Sequence, residues 1–169
     1  MFLPLVSLCI ITHIVRLIYE ILKHKKLIKA SRISFVIIFS NMLLLWTSWF
    51  LLCSFDPSET NLPIILSYFG ISLAIIGVII FLTALLTIKT LETYEGDLIT
   101  SGIYSRIRHP MYLGFLFWLL GFPLFYGGMY SLILAIPFAI NVLYWRHLEE
   151  LELDKRFVDY KLYKKKTFF

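Results

Sequence analysis

Long uncharged stretches alternate with short polar segments along this 169-residue chain. Ile33 to Phe55 has 23 residues without a charge, Leu62 to Ile88 has 27, and Pro110 to Trp145 has 36. An uncharged apolar stretch of about 18 residues or more is typical of a membrane span. The pattern therefore predicts an all-α integral membrane bundle rather than a soluble domain with buried helices.

The longest stretch predicts a helical hairpin. As one helix it would extend roughly 54 Å, across a hydrocarbon core of about 30 Å. Gly127-Gly128 lies near its middle and favours a tight reversal. We therefore predict two short spans, 111–126 and 129–145, which contain Pro123 and Pro137.

The first 22 residues are also apolar, and a basic cluster rather than a small-residue cleavage pattern follows them. This order favours a retained first span over a cleaved signal peptide. The chain is then a single membrane domain with five spans, at about 1–22, 33–55, 62–88, 111–126 and 129–145.

Composition and charge predict how the bundle is oriented in the membrane. The chain is 59% apolar, has a mean hydropathy of +0.81 and carries a net charge of +5. Fifteen of the sixteen Lys and Arg lie in the first connection, the third connection and the tail, on one side of a five-span bundle. That side should be cytoplasmic, with the N-terminus outside. The charge then attracts anionic lipid headgroups, and we expect no nucleic-acid partner. Cys9 and Cys53 fall in apolar stretches, so we expect two buried thiols and no metal site.

Two polar segments on this side are large enough to form a site, 89–112 and 146–166. In the first, His109 directly precedes Pro110, which places it at a helix N-terminus. Free N–H groups and the helix dipole attract anions there, and Arg106 and Arg108 would add to this attraction. A carboxylate or a phosphate is the expected ligand.

In the second segment, Arg146, Glu149 and Glu150 have helical spacing where the helix leaves the membrane. Acids so close to the hydrocarbon need a cation or a donor, and a sulfonium with its amino group would serve. Taken alone, Arg106 and Arg108 are typical of interfacial anchors, and Arg146 with Glu150 is typical of a solvated helix pair. The spacing therefore predicts a pocket with anionic and cationic ligands, and does not name a reaction.

Farther along, Leu153, Phe157 and Tyr160 repeat at i, i+4 and i+7. This spacing predicts one continuous amphipathic helix, with its apolar stripe against the bilayer or the bundle.

Together the two segments resemble the isoprenylcysteine carboxyl methyltransferase family and its relatives, the phospholipid N-methyltransferases, as a compact prokaryotic-type member. The matching pieces are Leu98-Ile99-Thr100-Ser101-Gly102-Ile103-Tyr104, Arg108-His109-Pro110-Met111-Tyr112-Leu113-Gly114, Glu149-Glu150, Leu153, Phe157, Tyr160 and Tyr163. The resemblance implies an S-adenosylmethionine cofactor and methyl transfer to a lipophilic acceptor.

The resemblance also implies roles for particular residues. Contacts to the cofactor are implied for Gly96, Asp97, Leu98, Ile99, Tyr104, His109, Pro110, Met111, Tyr112 and Glu149. His109 and Glu149 would face each other across the cofactor. Arg146 is similar to the family's substrate-binding arginine and would orient a carboxylate acceptor. Arg146 and Glu150 are the expected catalytic residues, and Glu149 or Glu150 would act as the base toward an amine.

Two other functions remain open at this point. Membrane sterol-type reductases, which use NADPH, share a similar Arg-His-Pro-x-Tyr-x-Gly region, but usually have Asn where this chain has Met111. A catalytically inactive membrane scaffold subunit is the second alternative. The acceptor atom (oxygen, nitrogen or sulfur) and the oligomeric state are not predicted.

Overall fold

The structure is a computed structural model that describes residues 1–28, 31–58, 60, 62–88 and 97–169. A short 3-10 helix, Gly102–Ser105, precedes the fourth of its α-helices. The α-helices are α1 (Phe2–His24), α2 (Arg32–Ser54), α3 (Ile64–Ile88), α4 (Pro110–Tyr126), α5 (Met129–Arg156) and α6 (Tyr160–Lys166).

Five of these helices form the membrane bundle. Among the described residues, α1, α2, α3 and α5 are long and apolar enough to cross a membrane, and α4 is a shorter apolar helix. With 17 residues, α4 is about 26 Å long, close to the lower limit for a span. The predicted all-helical membrane bundle is confirmed.

The hairpin forms where the glycine pair predicted it. Helix α4 ends at Tyr126, Gly127 adopts the left-handed conformation with φ of 71°, and α5 begins at Met129. A residue with a side chain would be strained at Gly127, because this backbone region favours glycine.

Two residues from the connection before α3 satisfy the free N–H groups at the start of α5. Ser58 Oγ accepts hydrogen bonds from the Met129 and Tyr130 N–H groups at 2.8 and 3.2 Å. Asp56 Oδ2 accepts one from the Ser131 N–H at 2.7 Å. The first turn of α5 is thus capped by a different part of the chain, which fixes the hairpin against the rest of the bundle.

Helices α3 and α4 pack backbone against backbone. A Cβ atom added to Gly77 would lie 2.6 Å from the Gly114 carbonyl oxygen, and one added to Gly70 would lie 2.7 Å from that of Gly121. On each helix the two glycines are seven residues apart, which places both on one helix face. Small residues at such a contact let membrane helices approach closely, which fixes the position of α4.

Helix α1 joins the bundle through a buried histidine. The His13 ring stacks on Phe138 of α5 with 4.0 Å between ring centroids, and its Nδ1 lies 3.2 Å from Asn141 Nδ2. The expected burial of Cys9 and Cys53 is confirmed, since each is 1% exposed.

The tail differs from the prediction. Helix α5 continues beyond Trp145 to Arg156, but the backbone is extended at Phe157 and a new helix begins at Tyr160. One continuous amphipathic helix through Phe157 and Tyr160 is therefore wrong. The break redirects the chain, so that the Phe168 N–H donates to the Arg106 carbonyl and the Arg108 N–H donates to the Phe168 carbonyl, at 2.9 and 3.1 Å.

Candidate functional site

A cavity of about 230 Å³ lies where the C-terminal parts of α1, α3 and α5 meet the N-terminal parts of α2 and α4. Residues from the segment 98–108 and from α6 complete its lining. Because successive membrane helices alternate in direction, these parts all belong to one end of the bundle. This is the end for which the charge distribution predicts a cytoplasmic location.

One wall of the cavity is apolar and largely aromatic. It consists of Phe35, Ile38, Phe39, Met42 and Trp46 of α2 with Phe81 of α3. The Trp46 and Phe81 rings meet edge to face with 5.2 Å between centroids. Such a wall suits an apolar ligand.

Other residues that line the cavity are polar. Glu149 of α5 lines it, with a hydrogen bond to the Tyr112 side chain of α4. Helix α1 contributes Arg16 and Glu20, which form an ion pair with side chains only 13% and 9% exposed. The Arg16 guanidinium lies 5.8 Å from the centroid of the Trp145 ring. Acids, a cation and aromatic rings thus surround one space.

Several polar atoms of lining residues are buried without a hydrogen-bond partner among the described residues. They are Arg16 Nε, Trp46 Nε1, Tyr104 Oη and Trp145 Nε1. Burial raises the pKa of Tyr104, and the negative charge of Glu149 raises that pKa further. The hydroxyl of Tyr104 therefore stays protonated and remains a donor. A polar ligand that supplied acceptors would offset the cost of burying these groups.

The structure brings together six of the predicted site residues in the cavity lining: Leu98, Ile99, Tyr104, Met111, Tyr112 and Glu149. Asp97, His109, Pro110, Arg146 and Glu150 do not line it. Gly96 lies outside the described residues.

His109 faces Glu150 rather than Glu149. His109 is 3% exposed, and its Nε2 lies 3.3 Å from Glu150 Oε1 and 3.3 Å from the Tyr160 hydroxyl. His109 therefore contacts Glu150 and does not line the cavity with Glu149, and its contact with the cofactor stays a prediction. The carboxylate of Glu150 already meets Arg108, one of the two arginines predicted to attract an anion at the start of α4.

Arg108 also has several protein partners. Its Nε lies 3.3 Å from Glu150 Oε1, and its Nη1 donates to the Thr167 and Lys164 carbonyls at 2.7 and 3.1 Å. Arg108 therefore holds the tail against the segment before α4. Arg146 lies apart from this group, with its guanidinium 4.5 Å from the centroid of the Phe169 ring.

Sequence reasoning missed Arg16 and Glu20 as site residues, because charges near one end of a span are usually interfacial. Their spacing was an available signal. Residues four apart lie on one helix face, so an inward-facing charged pair interrupts the apolar surface of α1 at one place.

The geometry describes a membrane protein with a polar and aromatic cavity at one end of its bundle, and comparison with known proteins supplies the class. A family model described as phospholipid methyltransferase matches residues 65–159, more than half of the chain. The chain therefore belongs to the phospholipid methyltransferase family. The matched region runs from α3 through α5 and includes Tyr104, Tyr112 and Glu149.

Curated relatives agree with this family. The chain is 36% identical over 93 residues to protein-S-isoprenylcysteine O-methyltransferase B of Arabidopsis thaliana, which covers 50% of this chain and 45% of the relative. It is 36% identical over 77 residues to the Schizosaccharomyces pombe protein-S-isoprenylcysteine O-methyltransferase, and this match covers 41% of this chain and 30% of the relative. The chain spans less than half the length of these relatives. No solved structure matches it significantly.

Proposed function

We propose that this protein is an integral membrane, S-adenosylmethionine-dependent methyltransferase that methylates a lipophilic acceptor at the cytoplasmic face. The observation that carries the proposal is the cavity itself, which Glu149, Tyr104 and Tyr112 line together with the apolar residues of α2. Family membership supports methyl transfer. The relatives' names support an isoprenylcysteine carboxylate as one acceptor class, and the family's description supports a lipid amine as another.

The residues present fit the cofactor. Glu149 is an acid beside the cavity, suited to the positive amino group or the ribose hydroxyls. Tyr104 offers a protonated hydroxyl that has no hydrogen-bond partner among the described residues. Leu98, Ile99 and Met111 offer apolar surface to the adenine ring. When bound, S-adenosylmethionine supplies a methyl group that is already electrophilic.

The protein then contributes position and exclusion of water. The apolar wall holds the acceptor's chain, and the surrounding helices separate the reacting atoms from water. A carboxylate acceptor needs no base. An amine acceptor must lose a proton, and Glu149 is the base we propose, because it lines the cavity whereas Glu150 is engaged with Arg108 and His109.

His109, Pro110 and Glu150 would act from behind the cavity. Pro110 begins α4, and His109 joins Glu150 to the Tyr160 hydroxyl. Since Tyr112 and Tyr160 both line the cavity, this network would position its walls. We propose that these residues position the site.

The direct test is transfer of a tritium-labelled methyl group from S-adenosylmethionine by the purified protein in lipid nanodiscs. The acceptors are N-acetyl-S-farnesylcysteine and dioleoylphosphatidylethanolamine. We expect label in the organic phase with at least one acceptor, and mild base releases it as methanol only from an ester. Glu149→Gln should lose transfer, and the exposed Asp159→Asn should retain it. If neither acceptor becomes labelled, the result contradicts the proposal as stated.

A further inference from the structure

We propose that Arg16 of α1, which pairs with Glu20, binds an anionic oxygen of the methyl acceptor. This inference rests on the proposed function and deepens it by naming the acceptor class, a lipophilic molecule with a carboxylate or a phosphodiester. Both residues precede the region matched by the family model, 65–159, so family membership does not supply this role.

The position of the pair argues for a ligand. Arg16 lies eight residues before His24, the end of α1, which is about 12 Å along the helix axis. Charged side chains at such depth are costly, and in membrane proteins they mark functional sites by default. The Arg16–Glu20 ion pair lies within one helix, so it does not join two helices to each other. Apolar residues would stabilise α1 against its neighbours at lower cost.

The guanidinium also has unused donor capacity. Glu20 Oε1 pairs with Nη2 of Arg16, whereas Nε is buried with no hydrogen-bond partner among the described residues. An arginine has five N–H donors in a planar fork that matches carboxylate and phosphate oxygens. The Trp145 ring beside it supports the charge through a cation–π contact.

Other cations of the site are placed differently. Arg108 is engaged by Glu150 and by two tail carbonyls, and Arg146 does not line the cavity. Lys23 and Arg156 line it, but each lies within one residue of a helix end. Arg16 is therefore the lining cation farthest inside a helix, next to the space that the apolar wall of α2 bounds.

The apolar wall and the nearby Arg16 together suit an amphiphilic acceptor. Its chain would lie against the aromatic wall formed by residues such as Trp46, and its anionic oxygen would meet Arg16. Arg16 and Glu20 also act electrostatically on Tyr112, which is hydrogen-bonded to Glu149. The anion would thus be held beside the acid that we assign to the cofactor, as methyl transfer requires.

The test measures binding in nanodiscs, without cofactor, by quenching of tryptophan fluorescence. One pair of probes is N-acetyl-S-farnesylcysteine and its carboxamide. The other is dioleoylphosphatidylethanolamine and dioleoylglycerol, so the two pairs distinguish a carboxylate from a phosphodiester. We expect the wild-type protein to bind the anionic member of one pair roughly 10- to 100-fold more tightly, as for a charge-assisted hydrogen bond.

The variants separate ligand binding from a structural role. Arg16→Gln combined with Glu20→Gln removes both charges without leaving either one buried alone, and should abolish the preference for the anionic probe. Glu20→Gln alone keeps the cation and should retain that preference. Arg32→Gln, which changes an exposed arginine outside the lining, is the matched control and should behave like wild type. Affinity for S-adenosylmethionine should be unchanged in all three.

A wild-type protein that prefers neither anionic probe, or a double variant that keeps the preference, would overturn the inference. Should the double variant fail to fold, Glu20→Gln decides, because loss of anion preference in that variant contradicts Arg16 as the binding group. Failure of the proposed function is a different result: no cofactor binding and no methyl transfer, whatever the probe preference.

Discussion

Arg108 offers a quantitative test of how the tail closes the site. The sequence suggested that Arg108 attracts a ligand anion, but in the structure its guanidinium holds residues 164–167 and Glu150. Arg108→Met keeps an unbranched apolar side chain and removes every one of these donors. We expect the tail to detach from the segment before α4 while the membrane helices stay folded.

The magnitude follows from the contacts. The bonds to the Thr167 and Lys164 carbonyls, at 2.7 and 3.1 Å, are charge-assisted, and Glu150 keeps His109 and Lys164 as partners when Arg108 is lost. The Arg108 and Glu150 side chains are 15% and 16% exposed, so water weakens their ion pair only in part. The loss should be about 2–4 kcal/mol, or roughly 30- to 1,000-fold in the equilibrium for opening of the tail.

Hydrogen exchange and proteolysis measure this opening. The Phe168 N–H donates to the Arg106 carbonyl, so its exchange reports detachment, and trypsin should cleave at Lys164 to Lys166 faster in the variant. Arg106→Met is the matched control, because the Arg106 side chain is exposed and the backbone carbonyl is kept. Unchanged exchange in Arg108→Met, or equal acceleration in both variants, would refute the reasoning.

Two further predictions concern the fold that supports the site. Burial raises the pKa of Asp56, but the hydrogen bonds from Ser58 and Ser131 have the larger effect and leave that pKa below its usual value. The Asp56 carboxylate therefore stabilises the fold above a pH of about 4, and this stabilisation is lost as the pH falls through the folded-state pKa. Asp56→Asn, which leaves one acceptor oxygen in place of two, should lower the free energy of unfolding by roughly 1–2 kcal/mol at neutral pH. In thermal unfolding, the difference in stability between the wild-type protein and this variant should become smaller in acid. A difference that does not depend on pH would contradict the role of the charge. Gly77→Ala should destabilise the bundle by about 1–3 kcal/mol, because the new Cβ would lie 2.6 Å from the Gly114 carbonyl oxygen. Ile79→Ala, at an exposed position of α3, should lower the free energy of unfolding by less. Equal unfolding midpoints for the two variants in denaturant titrations would contradict the close packing.

Local signals in the sequence were enough for the membrane architecture. The turn at Gly127 and the start of α5 at Met129 depend on a glycine pair within an apolar stretch, and both were predicted to the residue. Glu149 was also predicted as a site residue, because an acid at the membrane boundary needs a partner whatever the tertiary structure.

What the sequence could not supply was the choice of partners. Glu149 and Glu150 are adjacent acids, and only the rotation of α5 against α4 decides that Glu149 lines the cavity while Glu150 meets His109. The break at Phe157 depends similarly on the return of the tail to Arg106 and Arg108, since the apolar spacing alone fits a continuous helix. Arg16 is the clearest case, because the role we propose for it depends on cavity walls from five other helices, α2 to α6.

The central claim is that this cavity binds S-adenosylmethionine through Glu149. Isothermal titration calorimetry of the purified protein against S-adenosylmethionine and against NADPH tests it most directly and also separates the alternatives of a reductase and an inactive scaffold. We predict binding of S-adenosylmethionine alone, weakened roughly 10- to 100-fold by Glu149→Gln and unchanged by Asp159→Asn. Binding of NADPH alone, binding of neither, or equal affinity in the wild-type protein and Glu149→Gln would contradict the account.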